Sequence, residues 1–216
     1  EIKNSLNDAK VLIKSNKTLN ASDKNSVIFL SDTAFELGGS QKPCVSSLAV
    51  TSDINFSNFV YLLGDDIDKI KSDSPFGKFV LLQIEDFDDE QNTFNKIKEL
   101  EALRYHLNVN GFMTRASALN MREQIRVSKK AVESGVTFAD YGQTLLNEYL
   151  KFDYVKSAEI YFVTDLIDFE KLESVAKKIS QTTSALNHIF DNVMFDCSTC
   201  NLKGICDEVD GLKELH

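Results

Sequence analysis

The sequence predicts an α/β fold in which helices cover a mixed sheet, followed by a cysteine-rich loop. Short apolar runs of strand length alternate with longer segments whose apolar residues recur every three or four positions. The run at residues 79–84 is apolar almost throughout, which is typical of a strand buried on both faces. Three of the 4 cysteines lie close together near the end of the printed sequence.

The first half of the chain is predicted to contain one short helix and four strands. An apolar stripe at helical spacing predicts the helix over residues 4–14. Compact apolar runs predict the strands, at residues 26–30, 45–50, 59–63 and 78–84. Turns between them are indicated by Gly38 and Gly39 and by Pro75 with Gly77. Asp66 is predicted to cap a single helical turn.

A long helix, a strand and a short helix are predicted next. Residues 88–107 have apolar positions at helical spacing, and residues 124–127 have the length and composition of a strand. Ser128 is a typical N-cap residue, and Gly135 is a typical helix terminator.

The rest of the predicted domain contains two helices and a strand. Thr137 and Asp140 have the spacing of a capping box, with Asp in place of the usual Glu. Residues 158–163 are predicted to form a strand, and Asp168 begins a helix that extends to about residue 190. These patterns predict one α/β domain over residues 1–194.

The composition restricts the possible partners. The chain has 216 residues, of which 43% are hydrophobic and 26% charged, with a formal net charge of −9. An acidic chain of this kind is not expected to bind nucleic acid or an anionic membrane. No apolar stretch approaches the ~20 residues that cross a bilayer, and the start has no signal-peptide pattern. Clustered cysteines indicate a reducing compartment, so we predict a cytoplasmic protein.

The segment over residues 195–216 is predicted to be a metal-binding loop and tail. Cys197, Cys200 and Cys206 have the spacing C-x2-C-x5-C, and nearby thiolates can share one metal or cluster. They could hold a [4Fe–4S] cluster with one iron open, or zinc with His216 as a fourth ligand. Ordinary thiols or a disulfide are the remaining alternatives. Cys44 is expected to be a small buried apolar residue, or else a distant fourth ligand.

Five motifs occur in a fixed order along the chain: AFELGGSQKP (34–43), LGDDID (63–68), SPFG (74–77), QIRVSKKA (124–131) and AEIYFVTD (158–165). Their order and spacing, over roughly residues 27–206, resemble the middle domain of acetyl-CoA synthase. Acetyl-CoA synthase is the subunit of the carbon monoxide dehydrogenase/acetyl-CoA synthase complex that joins a methyl group, CO and coenzyme A.

The resemblance implies a specific metal centre. In the family, a C-x2-C pair opens a loop whose four cysteines hold an iron–sulfur cube, which is joined to a dinuclear nickel site. Cys197 and Cys200 match the opening pair, and Cys206 matches the third cysteine. The third cysteine comes sooner than in the family, and no fourth follows before His216. We therefore expect either a piece of a longer protein, inactive alone, or a divergent branch with a different cluster.

The resemblance also implies contacts with coenzyme A and with other proteins. In the family, arginines and a tryptophan are implicated near the strand that matches residues 124–127. Arg115, Arg122 and Arg126 are therefore candidates for binding coenzyme A, since guanidinium groups bind phosphate oxygens bidentately. Gln124 stands at the tryptophan position, and ordinary surface arginines are the alternative. The implied protein partners are a carbon monoxide dehydrogenase subunit, a corrinoid protein or ferredoxin.

Two functions remain open from the sequence. The first is a domain of an acetyl-CoA-synthase-like enzyme that makes or breaks acetyl-CoA, with the full-length parent as the active form. The second is a non-catalytic iron–sulfur or zinc module for electron transfer or partner docking. The short C-x5-C spacing and the acidic neighbours Asp207, Glu208 and Asp210 favour the second function.

Overall fold

The computed structural model describes residues 2–12, 15, 17–22, 27–39, 41–86, 89–117 and 121–190, so the predicted cysteine-rich loop lies outside the described residues. The elements, in chain order, are α1 (Ile2–Ser5), β1 (Lys10–Val11), β2 (Ala21–Ser22), β3 (Thr33–Leu37), β4 (Cys44–Thr51), β5 (Val60–Leu63), β6 (Phe76–Ile84), α2 (Glu90–His106), β7 (Asn108–Val109), β8 (Phe112–Ser117), β9 (Arg122–Ser128), α3 (Lys129–Glu133), α4 (Phe138–Tyr149), β10 (Val155–Val163) and α5 (Phe169–Phe190).

Strand β10 lies at the centre of a five-stranded mixed sheet with the order β1-β5-β10-β6-β4. It runs parallel to β5 and antiparallel to β6, and β4 runs parallel to β6 at one edge. In the sequence, helices α2, α3 and α4 lie between β6 and β10, whereas β4, β5 and β6 follow one another through loops. The predicted α/β class with a helix-covered mixed sheet is confirmed.

The two faces of the five-stranded sheet belong to different apolar cores. Alternate side chains of a strand point to opposite faces, so Ile160 and Phe162 enter one core and Tyr161 and Val163 enter the other. Helix α4 packs into the first core, and α5 packs onto the second. The prediction that β6 is buried on both faces is also confirmed.

A second, antiparallel sheet of three strands, with the order β3-β9-β8, packs onto the first core. The inward side chains of β9, Ile125 and Val127, are fully buried there, together with Phe112 of β8. Side chains at the alternate positions of β9 lie on the opposite, outer face of this sheet.

The predicted caps of α3 and α4 are present. The Ser128 hydroxyl accepts a hydrogen bond from the Ala131 backbone N–H at 3.1 Å. Thr137 and Asp140 form both hydrogen bonds of a capping box at the start of α4. The single turn predicted after Asp66 is present, since the Ile70 backbone N–H donates to the Asp66 carbonyl at 3.3 Å. The Asp66 carboxylate does not cap that turn in the usual way; it accepts from the backbone N–H of Ile67 at 2.7 Å and of Phe138, in α4, at 2.8 Å.

Two predictions in the first half are wrong. The helix predicted over residues 4–14 ends at Ser5, and β1 follows as an edge strand, because pairing with β5 satisfies its backbone. The strand predicted over residues 26–30 is absent at residues 27–30, where a short coil leads into the 3-10 helix Leu30–Asp32. Val27, Phe29 and Leu30 face solvent and only Ile28 is buried, so the apolar run did not correspond to a buried strand. Strands β3 and β8 were not predicted.

Within the described part of the chain, no helix combines the length and the apolar composition that a bilayer crossing needs.

Gly142 sets the distance between α4 and the central sheet, and its replacement provides a stability test. A Cβ atom at this position would lie 2.5 Å from a Val60 methyl carbon and 2.9 Å from the Phe162 ring. We expect Gly142→Ala to lower the free energy of unfolding by about 1–2 kcal/mol, because overpacking outweighs the helix propensity of alanine.

Urea unfolding measures this effect, and Gly135→Asn is the matched control. Gly135 has φ of +68° with open space around it, and asparagine tolerates this conformation. The control should lose less than about 1 kcal/mol. An equal loss in both variants would contradict the packing argument.

Candidate functional site

The three predicted arginines lie on one face of the three-stranded sheet, which we call the arginine face. Arg122, Gln124 and Arg126 occupy the outward positions of β9, where burial alternates strictly along the strand. Arg115 on β8 stands opposite Gln124 in the antiparallel pair, so it shares that face. The structure therefore brings together residues that were grouped in the sequence by resemblance.

Each of the three guanidinium nitrogens of Arg126 has an oxygen partner. Its Nε and Nη2 atoms each lie 2.7 Å from Oε1 of Glu36, and its Nη1 donates to the Ile28 carbonyl oxygen at 2.8 Å. Glu36 lies opposite Arg126 on β3. Arg126 thus joins β3 and residue 28 to the centre of the arginine face.

Arg122 is also committed to the fold. Its Nη2 atom donates to the carbonyl oxygens of Lys42 at 3.2 Å and of Gly38 at 3.5 Å. These carbonyls belong to the turn between β3 and β4, so Arg122 fixes that turn against β9.

Arg115 is the exposed member of the arginine face. Among the described residues, its side chain makes no hydrogen bond and no ion pair. It lines an open cleft of about 450 Å³ together with Arg126 and with an apolar wall. The wall and floor of this cleft are formed by Val27, Ile28, Phe29, Leu30, Met113 and Thr114.

On the inward side of β9, a buried ion cluster lies where the two sheets meet. Lys78 of β6 and Glu123 of β9 are only 3% and 1% exposed, and the lysine Nζ donates to the Glu123 carboxylate. The Ser46 hydroxyl of β4 donates to the same carboxylate at 2.6 Å. Arg104 of α2 lies 3.9 Å from it and donates to the Ser46 hydroxyl. We call Ser46, Lys78, Arg104 and Glu123 the ion cluster.

The electrostatics of the ion cluster keep Glu123 charged. Burial alone would raise the pKa of this carboxyl, but the charges of Lys78 and Arg104 and the hydrogen bonds from Lys78 and Ser46 hold that pKa below its ordinary value. Nearby, burial raises the pKa of the Cys44 thiol, against a backbone hydrogen bond from Glu123 and the charge of Arg122. Cys44 is therefore a buried, neutral thiol.

Comparison with protein families matches residues 24–169 to the CO dehydrogenase/acetyl-CoA synthase complex beta subunit. The match covers about two thirds of the chain. The chain belongs to this acetyl-CoA synthase family. No curated protein matches the chain. The expected resemblance to acetyl-CoA synthase is thus confirmed.

The family match includes the arginine face and the ion cluster but not the cysteine segment. Cys197, Cys200 and Cys206 lie beyond residue 169 and outside the described residues, so their predicted metal site stays a prediction. Within the described residues, no three His, Cys, Asp or Glu side chains are placed to hold a metal ion. His106, the last residue of α2, is exposed.

The ion cluster was not identified from the sequence of this acetyl-CoA-synthase-family chain. The alternation of residues along β9 does indicate a buried carboxylate. Glu123 occupies the same face of the strand as Ile125 and Val127, which lie in the core. A carboxylate at such a position requires buried cationic or hydrogen-bonding partners. The identity of those partners depends on how the two sheets pack, which one strand does not reveal.

Replacing Glu123 tests the ion cluster. We expect Glu123→Gln to lower the free energy of unfolding by about 3 kcal/mol at neutral pH, because Lys78 and Arg104 would lose their buried counter-charge. Since the folded-state pKa of Glu123 is lowered, its contribution is present above the ordinary carboxyl pKa and is lost as the pH falls through the lowered value. The difference between the wild type and Glu123→Gln should therefore shrink in acid.

Urea unfolding at neutral and acidic pH measures both effects. The control is Glu85→Gln, because the exposed Glu85 pairs with the exposed Lys156 at 3.2 Å and should contribute less than about 1 kcal/mol. A Glu123→Gln loss no larger than that of the control would show that the buried charge is dispensable.

Proposed function

We propose that this chain is a domain of an acetyl-CoA-synthase-like iron–sulfur protein, whose parent reaction is the synthesis or cleavage of acetyl-CoA from a methyl group, CO and coenzyme A. Family membership over residues 24–169 is the observation that carries the proposal. We place the protein in the cytoplasm, within a CO dehydrogenase complex. A carbon monoxide dehydrogenase subunit, a corrinoid protein or ferredoxin would be its partner.

The proposal divides the chain into two parts. Residues 1–194 would form the α/β domain, and residues 195–216 the loop that contributes to metal binding. Cys197, Cys200 and Cys206 would be thiolate ligands to a [4Fe–4S] cluster, on the basis of their spacing. The bound iron–sulfur cluster and nickel would supply the bond-forming chemistry.

The arginine face would bind the phosphates of coenzyme A. Arg115 is exposed and lines a cleft, so it would make the direct contact. Arg122 and Arg126 are bonded to backbone and carboxylate oxygens, and they would shape the face around the ligand. This assignment gives the three arginines different roles within one binding face.

A non-catalytic iron–sulfur or zinc module remains the second candidate function. The short spacing between Cys200 and Cys206 and the acidic neighbours Asp207, Glu208 and Asp210 favour it. Such a module would transfer electrons or dock to a partner without carrying the nickel centre.

Metal analysis of the anaerobically purified full-length protein separates the two candidates. The enzyme is expected to contain iron, sulfide and nickel, with nickel near stoichiometric amounts. Replacing Cys200 with Ser should lower the iron content, whereas Cys44→Ser should leave the iron content unchanged, since Cys44 is buried in the α/β domain. Iron and sulfide without nickel, or zinc alone, would exclude the enzymatic function for this protein.

Calorimetric titration with coenzyme A tests the arginine face. We expect Arg115→Ala to weaken binding about 3- to 10-fold, because an exposed charge-assisted contact contributes roughly 1 kcal/mol. Lys156→Ala is the control, since it removes an exposed cation from β10, where Lys156 pairs with Glu85. Equal affinities for the wild type and Arg115→Ala would place the phosphates elsewhere.

A further inference from the structure

Residues 27–30, which we call the shelf, expose three large apolar side chains in a row. Val27, Phe29 and Leu30 are 67%, 66% and 77% exposed, whereas Ile28 is buried. Isolated exposed apolar residues are common on protein surfaces, but a contiguous group beside a cleft marks a binding surface.

The backbone of the shelf is fixed by the basic side chains behind it. Arg126 donates to the Ile28 carbonyl at 2.8 Å, and Lys129 donates to the Ser31 carbonyl at 2.7 Å. The Thr33 hydroxyl donates to the Phe29 carbonyl at 2.8 Å. The hydrogen-bonded backbone therefore holds Phe29 in an exposed position. Because the backbone is already ordered, ligand binding would cost little conformational entropy there.

The shelf and Arg115 line the same cleft, so an apolar surface and a cation that no described side chain pairs would face one ligand. The chain has a net charge of −9, so the positive charge of Arg115 in this cleft is opposite in sign to that of the chain as a whole. A ligand that satisfies both features carries negative charge at one end and a flat apolar body next to it. A nucleotide with phosphate groups has this construction, because every base has a π-face that stacks on an aromatic side chain.

We propose that the shelf is a base-stacking site, on which Phe29 binds the adenine ring of a phosphorylated nucleotide while Arg115 binds its phosphates. Leu30 and Val27 border the ring and exclude water from it. The proposal rests on the proposed function, in which coenzyme A is the ligand of this face, and it adds which residues select the nucleotide part of coenzyme A.

Two fragments of coenzyme A and one pair of variants test the stacking. Adenosine 3′,5′-bisphosphate contains the base, whereas 4′-phosphopantetheine contains a phosphate without it. We expect Phe29→Ser in the full-length protein to weaken coenzyme A and the bisphosphate about 5- to 30-fold and to leave 4′-phosphopantetheine unchanged. Leu166→Ser is the control, because Leu166 is 76% exposed and lies outside the cleft lining.

A tryptophan in place of Phe29 gives a second, direct measurement. Residues 1–216 contain no Trp, so Phe29→Trp adds one fluorescent reporter to this part of the protein and preserves an aromatic surface. The bisphosphate should quench the emission of this Trp. The variant should bind the bisphosphate at least as tightly as the wild type does. A Leu166→Trp reporter should not respond to the ligand.

The outcomes separate this inference from the function on which it rests. If the wild type does not bind coenzyme A, both fail. If coenzyme A binds and Arg115→Ala weakens it, but Phe29→Ser binds normally, only the stacking site is refuted. A Phe29→Ser loss seen with 4′-phosphopantetheine and not with the bisphosphate would also refute it. A third result would also refute the stacking site: the wild type sediments as a dimer and Phe29→Ser sediments as a monomer. The shelf would then bind a second copy of the chain.

Discussion

The contact between Glu123 and the cations around it is the interaction on which the arrangement of the two sheets depends. Its partners come from β4, β6 and α2, so one carboxylate joins four separate elements of the fold. A backbone hydrogen bond of 2.7 Å, from Ser46 N–H to the Met121 carbonyl, joins the same two sheets beside it. Buried charges stabilise a fold only weakly but tolerate few alternative geometries. We infer that the ion cluster selects one packing of the sheets over others.

Strand β9 connects this constraint to the candidate binding surface. Its inward side chains are Glu123, Ile125 and Val127, and its outward ones include Arg122 and Arg126. Because the strand repeat is two residues, a register shift of one residue would bring the arginines into the core and move Glu123 into solvent. The buried carboxylate therefore also determines which side chains face the cleft.

Local signals in the sequence were sufficient for most elements. Apolar runs located β4, β5, β6 and β10, and the hydroxyl and carboxylate caps of α3 and α4 depend on neighbouring residues alone. Segments whose conformation depends on a distant partner were not predictable in this way. Strand β1 forms because β5 offers an unpaired edge. Val27, Phe29 and Leu30 are apolar but exposed, on a backbone that Arg126 and Lys129 hold in place. The grouping of Arg115 with Arg122 and Arg126 came from family resemblance, and the ion cluster needed the packing of two sheets.

The second core has a practical consequence for dividing the protein into parts. The family-matched range ends at Phe169, the first residue of α5, yet Leu172 and Ala176 of that helix pack on Phe79 and Tyr161 of the central sheet. Leu6 packs on the same face from before the matched range. An expression boundary drawn at the limits of the match would leave one whole side of the sheet open to water and prone to aggregation. The recombinant unit for biochemical work should therefore begin ahead of α1 and include all of α5.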